Sequence, residues 1–290
     1  MKNSKDKGSY ESRWLEATKR NDTSILKLER PDTFPSFFYL EYNSLTLKIL
    51  EGKLGKLSED TKILEVGCGR ATASIFLAIK RGCDIKPIDY SENAIKIANK
   101  NLREYGLTES AEVSDIFDYE TDDKFDAVIS YGVMEHMPDI EGAYRAMLLK
   151  LKPGGVMISM NVPEKKLNIQ TIFAPLNRAL YKCNQLLAIR DDKPWLDKSN
   201  RGQTGNVYRT FTSSEMFAVK CQNSGFSEVE KIEVNPFPTI NPLPYTIEKK
   251  IVELFSTLLD IKQIIFPKKM RFKTTKLLSR CHFIIAVKSK

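Results

Sequence analysis

Two glycines and two acidic residues lie at the spacing of a nucleotide-binding site. The run Glu65-Val66-Gly67-Cys68-Gly69 follows an apolar stretch and precedes an amphipathic one, so it predicts a turn between a strand and a helix. Glycines let the backbone approach a ligand closely, and the N-terminus of the following helix presents free N–H groups to it. Asp89 ends the next predicted strand, about 20 residues further on, where such an acid accepts hydrogen bonds from both hydroxyls of a ribose.

The third position of the glycine pattern distinguishes two kinds of nucleotide site. A dinucleotide fingerprint requires G-x-G-x-x-G or G-x-G-x-x-A, whereas the corresponding residue here is Thr72. The pattern is instead an acid and two glycines followed by the small residue Ala71. A glycine turn that serves packing alone is the alternative, and the presence of Asp89 argues against it.

The elements that must position these residues alternate along the chain. Between Thr61 and Gly155 short apolar runs alternate with amphipathic stretches, which is typical of βαβ units and a parallel sheet. We predict helices over 71–81 and 140–151, one capped by Ser91, and one that the Thr212–Glu215 capping box begins. The strands are predicted at residues 62–66, 84–88, 111–114, 125–130, 156–160, 227–234 and 282–288.

Composition excludes several classes of protein. The 290 residues are 42% hydrophobic and 28% charged, as in an ordinary globular protein. No apolar run approaches the ~18 residues of a spanning helix, and the first residues contain no apolar signal region. The five scattered cysteines and two histidines form neither a disulfide framework nor a zinc motif, so we expect no metal and a cytoplasmic location.

The segments 61–160 and 208–234 resemble the class I, Rossmann-like S-adenosylmethionine-dependent methyltransferases of the small-molecule type. Glu65-x-Gly67-x-Gly69 is similar to the first motif of that family, and Leu151–Gly155 is similar to the turn before its fifth strand. The resemblance implies a doubly wound α/β fold, with a mostly parallel seven-stranded sheet and helical cap insertions. In that fold the last strand runs antiparallel between the fifth and the sixth. The resemblance also implies S-adenosylmethionine as the cofactor.

The resemblance further implies a set of cofactor-binding residues. They are Glu65, Gly67, Cys68, Gly69, Asp89, Tyr90, Asp115, Ile116, Ser130 and Tyr131. The glycine loop would hold the methionine end, beside Ser130 and Tyr131, while Asp89 binds the ribose and Tyr90 packs on the cofactor. Asp115 would accept a hydrogen bond from the adenine amino group, with Ile116 beside the ring. A solvated acidic loop is the alternative interpretation of Asp115.

The segment after the fourth predicted strand limits the acceptor. Ser130-Tyr131-Gly132-Val133 lacks the prolines shared by enzymes that methylate amino groups of nucleic-acid bases, and the chain has no Pro-Cys dipeptide for cytosine C5 chemistry. Met134–Asp139 is similar to the loop of small-molecule members. His136 in this loop is a candidate general base for a hydroxyl or carbon-acid acceptor, with a purely structural role as the alternative.

We predict that the chain is organised in five segments. We expect an N-terminal helical lid over 1–55, a core over 56–160 and 208–235, and a last core strand over 281–290. Cap insertions are expected over 161–207 and, with a basic composition, over 236–280. The aromatic side chains of Pro35–Tyr42 would belong to the lid or, alternatively, form the buried face of a helix.

Positive charge is concentrated near the C-terminus. The net charge is +8, and residues 261–290 contain nine Lys or Arg and no acid. A basic segment interleaved with apolar residues suits a lipid-linked or phosphorylated acceptor at an anionic membrane surface, and it could also be an ordinary cap. We therefore predict methyl transfer to a small or lipid-linked acceptor, such as a sugar, an isoprenoid or a natural-product scaffold, with peripheral membrane contact. The alternative is an enzyme that modifies RNA or protein, although a nucleic-acid partner is the less favoured of the two.

Overall fold

The structure covers most of the 290-residue chain. The computed structural model describes residues 11–12, 14–18, 28–163, 165, 167–186, 210 and 212–290. Residues 187–207 of the cap insertion predicted over 161–207 lie outside the described residues.

The centre of the protein is a seven-stranded sheet in the order β3-β2-β1-β4-β5-β7-β6. All pairs are parallel except those of β7, which runs antiparallel to both β5 and β6. The carboxyl ends of β1 to β6 therefore share one edge of the sheet. This architecture confirms the predicted fold class and the predicted place of the last strand. The strands are β1 (Lys62–Val66), β2 (Asp84–Asp89), β3 (Glu112–Val113), β4 (Phe125–Tyr131), β5 (Leu151–Asn161), β6 (Glu228–Val234) and β7 (Cys281–Val287).

Helices cover both faces of the sheet. They are α1 (Phe34–Leu54), α2 (Thr72–Arg81), α3 (Glu92–Glu104), α4 (Ile140–Lys150), α5 (Ile169–Ile172), α6 (Ala174–Leu186), α7 (Ser214–Asn223) and α8 (Tyr245–Ile265). Alternate residues of each strand point to opposite faces of the sheet, which gives it two buried faces. Helices α1, α2 and α8 pack on one face, and α4 and α7 pack on the other. Among the helices that the structure describes, none is long and apolar enough to cross a membrane.

Two predicted boundaries are wrong. Strand β5 begins at Leu151 and not at Val156, because Gly154 N donates to the Lys288 carbonyl and the turn thereby joins the sheet. Helix α7 is capped by Ser213, whose hydroxyl accepts from Met216 N, and not by the residue before it. The carboxylate of Glu215 binds Lys276 instead of closing a capping box.

The aromatic residues near the N-terminus belong to the core. Thr33 caps α1, and Phe37 is fully buried with its ring centroid 6.0 Å from that of Phe255 on α8 and 6.1 Å from that of Phe272. Since these rings join α1 to α8, the structure favours the buried helix face for residues 35–42.

The two cap insertions contact each other through side-chain amides. Gln170 of α5 donates to the Thr239 carbonyl at 3.0 Å and accepts from Thr239 N at 2.7 Å. Asn177 of α6 donates to the same carbonyl and accepts from Asn241 N at 3.1 Å. Four hydrogen bonds therefore fix the described part of the first insertion against the second.

Candidate active site

The glycine loop after β1 adopts a conformation that only glycine tolerates well. Gly67 and Gly69 have φ values of 68° and 53°, in the left-handed region. A Cβ at Gly67 would overlap the Val133 side chain, and one at Gly69 would lie 2.9 Å from the Trp14 ring. Ala71 is also left-handed, with a φ of 56°, and it begins α2 without a side-chain cap. The backbone of this loop is therefore tightly enclosed and leads into α2, whose N-cap residue has no side chain that could accept from the first turn.

Two amide side chains from neighbouring helices hold the end of the loop. Asn101 of α3 donates to the Arg70 carbonyl at 3.0 Å, and Asn43 of α1 donates to the Thr72 carbonyl at 3.3 Å. Both amides are buried. The sequence analysis did not find them, because a single Asn on an amphipathic helix has no spacing that links it to a distant loop.

Asp89 lies directly beside the glycine loop. One carboxylate oxygen accepts from Gly69 N at 3.0 Å and the other accepts from Ser91 N at 2.9 Å. The side chain is 7% exposed. Burial raises the pKa of Asp89 to about 6 against the opposing effect of these N–H groups, and the nearby acids Glu11 and Asp115 raise it further. The carboxylate is thus fixed in orientation and ionised at neutral pH.

Glu65 faces α2. Its Oε2 accepts from Ser74 N at 3.0 Å and from the Ser74 hydroxyl at 2.5 Å. Burial raises the pKa of Glu65 to about 7, although the two bonds from Ser74 lower it. The contacts of Glu65 join β1 to the first turn of α2, so its described role is to shape the loop. Binding of cofactor by this side chain stays a prediction.

Asp115 begins a turn that follows β3. Asp115 Oδ1 accepts from Phe117 N at 3.2 Å, and Ser114 N donates to the Asp89 carbonyl at 3.0 Å. This brings Asp115 near Asp89. Ile116 is buried in the core beneath β1 and β2, and Tyr90 is half-buried next to Asp89. The predicted adenine-binding residues are therefore gathered at the end of β2, and their roles stay predictions.

The last two residues of β4, Ser130 and Tyr131, place their hydroxyl groups on opposite faces of the sheet. Ser130 is buried, and its hydroxyl has no hydrogen-bond partner within the described part of the chain. The Tyr131 hydroxyl instead lies 2.5 Å from Thr46 Oγ1 on α1. Burial raises the pKa of Tyr131 far above its usual range, so this phenol does not serve as a base. Cys68 is also buried with a raised thiol pKa; its N–H donates to the Ile88 carbonyl and its carbonyl accepts from Ala71 N, so its part in cofactor binding stays a prediction.

Trp14, in the described segment 14–18, lies over the glycine loop. The Trp14 ring contacts Gly69, and the guanidinium carbon of Arg70 lies 5.3 Å from the centre of that ring. Glu11 accepts a hydrogen bond from Asn93 N at 3.2 Å. These contacts place the Trp14 ring over the backbone of Gly69, which is the position expected of a residue in a lid over this loop.

The candidate base lies in a short turn after β4. Residues Met134–His136 form a single turn of 3-10 helix, and His136 is half-buried. The adjacent Glu135 is buried; its carboxylate accepts from Val162 N at 3.3 Å and its carbonyl accepts from Thr210 N at 2.7 Å. His136 is therefore held at the carboxyl edge of the sheet by contacts of its neighbour, and its role as a base stays a prediction.

A buried polar row, which the sequence analysis did not find, runs along β5 to the same edge. The Ser159 hydroxyl donates to Asn161 Oδ1 at 2.7 Å, and Asn161 Nδ2 lies 3.5 Å from His282 Nε2 on β7. Tyr144 of α4 contacts both β5 residues at 3.5 Å. Burial lowers the pKa of His282 to about 3, so this imidazole is neutral at physiological pH. The strand register, which the sequence does not show, brings these residues together.

This fold and site define the class of Rossmann-like methyltransferases. Residues 57–211, just over half of the chain, match the family described as "Methyltransferase domain". The chain belongs to this methyltransferase family, and the predicted resemblance is confirmed. Its cofactor is S-adenosylmethionine.

Curated relatives match part of the chain. A ubiquinone biosynthesis O-methyltransferase of Azoarcus sp. (strain BH72) is 32% identical over 119 residues, which are 40% of this chain and 50% of that protein. Methyltransferase GfsG of Streptomyces halstedii is 34% identical over 102 residues, 34% of this chain and 37% of that protein. The chain spans about half or less of the length of the curated relatives it matches.

Solved structures share the fold over nearly the whole chain. The plantazolicin methyltransferase BpumL in complex with SAH has a TM-score of 0.55 at 13% identity, covering 98% of this chain and 95% of that one. An S-adenosylmethionine-dependent methyltransferase from Clostridium acetobutylicum ATCC 824 has a TM-score of 0.53 at 13% identity, covering 96% and 98%. At these identities the likeness is one of fold.

The chemistry of the site fits S-adenosylmethionine. Gly67 and Gly69 form a loop of backbone without side chains beside Asp89. The ionised Asp89 carboxylate can accept hydrogen bonds from two ribose hydroxyls, and the buried Ser130 hydroxyl can form a further hydrogen bond. Among the described residues no group of His, Cys, Asp or Glu side chains could hold a metal ion.

Proposed function

We propose that this protein transfers the methyl group of S-adenosylmethionine to a small or lipid-linked acceptor. The observation that supports this most directly is the junction of Asp89 with Gly69, which joins the carboxyl ends of β1 and β2 at the place where parallel sheets bind nucleotides. The acceptor class that we favour is a sugar, an isoprenoid or a natural-product scaffold.

The chain contributes mainly position and orientation to this reaction. When bound, the cofactor supplies a methyl group on a sulfonium, which is already a strong electrophile. Asp89 would fix the ribose, Asp115 the adenine, and the glycine loop with Ser130 the methionine end. Holding two reactants in line contributes about 7–11 kcal/mol to lowering a barrier, so little acid or base assistance is needed.

We infer that the acceptor lies over the carboxyl ends of β4 and β5. Asn161 and the neutral His282 are uncharged hydrogen-bonding groups that are fully buried at this end of β5 and β7, and His282 Nδ1 has no partner within the described part of the chain. The cap insertions leave the sheet here, after β5 and after β6, and they contact each other through Gln170 and Thr239. Such an enclosure excludes water from the methyl-transfer site.

The alternative, a macromolecular acceptor held by the basic C-terminal segment, has less support. Arg271 pairs with Glu41 at 3.0 Å, Lys276 with Glu215 at 2.6 Å, and Lys262 donates to two backbone carbonyls. These three cations bind the protein itself, which leaves fewer of the nine free to neutralise the phosphates of a macromolecule.

Ligand binding followed by an acceptor screen tests the proposal. We expect calorimetry to show S-adenosylmethionine and S-adenosylhomocysteine binding with micromolar affinity, about 8 kcal/mol, and no comparable binding of NAD. Transfer of a radiolabelled methyl group should then occur to phenolic isoprenoids or sugars in preference to RNA. Tighter binding of NAD would contradict the proposed reaction, and transfer to RNA alone would contradict the acceptor class.

The role of His136 is tested with a cognate acceptor. If this imidazole accepts the proton of a hydroxyl acceptor, His136→Ala should lower turnover by about 100-fold or more while cofactor affinity is unchanged. His136→Gln is a second variant that retains a polar side chain. Turnover close to that of the wild type in both variants would assign His136 a structural role.

A further inference from the structure

Helix α8 carries an apolar stripe on its outward face. The stripe follows the helical period on one side of α8, and its exposed members are Ile247, Leu254, Leu258, Ile261 and Ile265. Leu254 is 55% exposed and Ile265 is 61% exposed. Scattered exposed apolar residues are common in proteins, but a contiguous row along five turns is typical of a surface that contacts something.

The position of the stripe is fixed by the opposite face of the same helix. Glu248 accepts from Phe34 N at 2.8 Å, and the Phe255 ring centroid lies 6.0 Å from that of Phe34. Val252 and Leu259 are fully or almost fully buried on this inner face. The helix is therefore anchored in the core, and the outward stripe is part of its packed orientation.

The turn after α8 adds more apolar surface and positive charge. Ile264 is 79% exposed, and Phe266 is exposed with the Lys269 ammonium 4.4 Å from the centre of its ring. Lys268 and Lys269 are both exposed, and neither has an acidic partner among the described residues. Lys250 adds a further exposed cation beside the stripe. We call the stripe together with residues 264–269 the α8 surface.

Two exposed acids of α8, Glu253 and Asp260, lie beside this surface, against the three exposed lysines Lys250, Lys268 and Lys269. Asp260 pairs with Arg271, and Arg271 also binds Glu41 at 3.0 Å. Arg271 is therefore an internal residue and is not part of the α8 surface, although the sequence alone groups it with Lys268 and Lys269. The charge that remains at this surface is positive.

We propose that the α8 surface docks on an anionic lipid bilayer. Its apolar side chains can enter the boundary between headgroups and acyl chains, while the lysines contact lipid phosphates. A second copy of the chain is a poorer occupant, because a two-fold interface centred on the stripe would pack the two α8 helices antiparallel and bring Lys268 of one copy towards Lys250 of the other. The second insertion leaves the sheet at the carboxyl end of β6, so docking would bring the membrane close to the edge where we place the acceptor.

Cosedimentation of the full chain with vesicles tests the charge of this surface. We expect strong binding to phosphatidylglycerol vesicles and much weaker binding, from apolar insertion alone, to phosphatidylcholine vesicles. Lys268→Glu/Lys269→Glu should lower the partition coefficient by at least about 25-fold, since each lysine near an anionic bilayer contributes about fivefold. The matched control Lys48→Glu/Lys96→Glu changes the net charge equally at exposed sites on α1 and α3 and should bind like the wild type.

The apolar contribution is tested with a second pair of variants. Leu258→Ser/Ile265→Ser should abolish the binding that persists at high salt, whereas Leu149→Ser/Val219→Ser, at comparably exposed sites on α4 and α7, should not. Equal binding to both kinds of vesicle, or equal losses in the control variants, would overturn the proposal. So would a wild-type dimer in light scattering that Leu258→Ser/Ile265→Ser converts to a monomer. These measurements contain neither cofactor nor acceptor, so their outcome is independent of the proposed reaction.

Discussion

The carboxylate of Asp89 accepts a hydrogen bond from the backbone N–H of Gly69 at 3.0 Å. This bond ties the end of β2 to the loop after β1, two segments that are 20 residues apart in the chain. The second oxygen of the Asp89 carboxylate accepts a hydrogen bond from Ser91 N at the start of α3. The orientation of the Asp89 carboxylate, which we propose binds the ribose, is therefore set by backbone groups before any ligand arrives.

Removing the charge of Asp89 should weaken cofactor binding. We expect Asp89→Asn to reduce the affinity for S-adenosylmethionine by about 1.5–3 kcal/mol, because hydrogen bonds to a charged acceptor become bonds to a neutral one. Calorimetry measures the loss, and Asp118→Asn, at an exposed site nearby, is the control. Unchanged affinity of Asp89→Asn would place the ribose elsewhere.

The same carboxylate should make cofactor affinity depend on pH. The pKa of Asp89 is raised to about 6, mainly by burial, so the group is ionised above pH 6 and becomes protonated below it. We expect affinity to be constant from pH 7 to 8 and about tenfold lower at pH 5, in proportion to the ionised fraction. In Asp89→Asn this dependence should disappear, and a variant that retained it would implicate another group.

Glu65 should make the folded state less stable as pH rises. Its folded pKa of about 7 lies above the ordinary value of 4.5, so the folded state binds the proton more tightly than the unfolded state does. The stabilisation is complete below pH 4.5 and is lost as pH rises to 7, with a magnitude on the order of 3 kcal/mol. Denaturant unfolding of Glu65→Gln at pH 5 and pH 8 should show a smaller difference than the wild type.

The control for this measurement is Glu120→Gln, which changes an exposed carboxylate. It should keep the wild-type difference between the two pH values. An unaltered difference in Glu65→Gln would mean that the bonds from Ser74 offset the burial of Glu65 completely.

Two glycines with similar backbone angles should respond differently to alanine. Gly67 and Gly106 have φ values of 68° and 71°, so both substitutions introduce the same left-handed strain, about 1–2 kcal/mol. Only at Gly67 would the new methyl group overlap another side chain, that of Val133. We expect Gly67→Ala to lose more unfolding free energy and to lose cofactor binding, while Gly106→Ala binds normally.

A double variant separates strain from overlap. Val133→Ala removes the methyl groups that the new Cβ meets, so Gly67→Ala/Val133→Ala should recover part of the stability lost in Gly67→Ala. Strictly additive losses would show that the overlap is relieved in some other way.

Residues 11–18 should slow release of the cofactor if they act as a lid. Trp14→Ala removes both the ring over Gly69 and its contact with Arg70, a cation–π interaction that contributes about 0.5–1 kcal/mol. We expect stopped-flow displacement to show dissociation about threefold faster, with Leu15→Ala, an exposed neighbour, unchanged. Equal rates in wild type and Trp14→Ala would leave these residues without a role at the site.

Local pattern alone determined much of the fold. The apolar runs around Glu65 and Asp89 predict buried strands, and Gly67, Gly69 and Gly82 mark the turns around α2, because backbone conformation and side-chain burial constrain neighbouring residues directly. The order of elements and the proposal of Asp89 as the ribose-binding acid follow from such short-range spacing. The N-cap of α3 and the end of β1 lie where the sequence predicts them.

The tertiary structure decided which distant groups meet. Asn43 and Asn101 reach the glycine loop from separate helices, and Asn161 meets His282 through the register of β5 with β7. It also decided which charges remain available: Arg271 turns inward to Glu41 while Lys268 stays exposed. Hydrogen bonds and ion pairs act over a few ångströms in space, and sequence separation carries no information about that distance until the chain is packed.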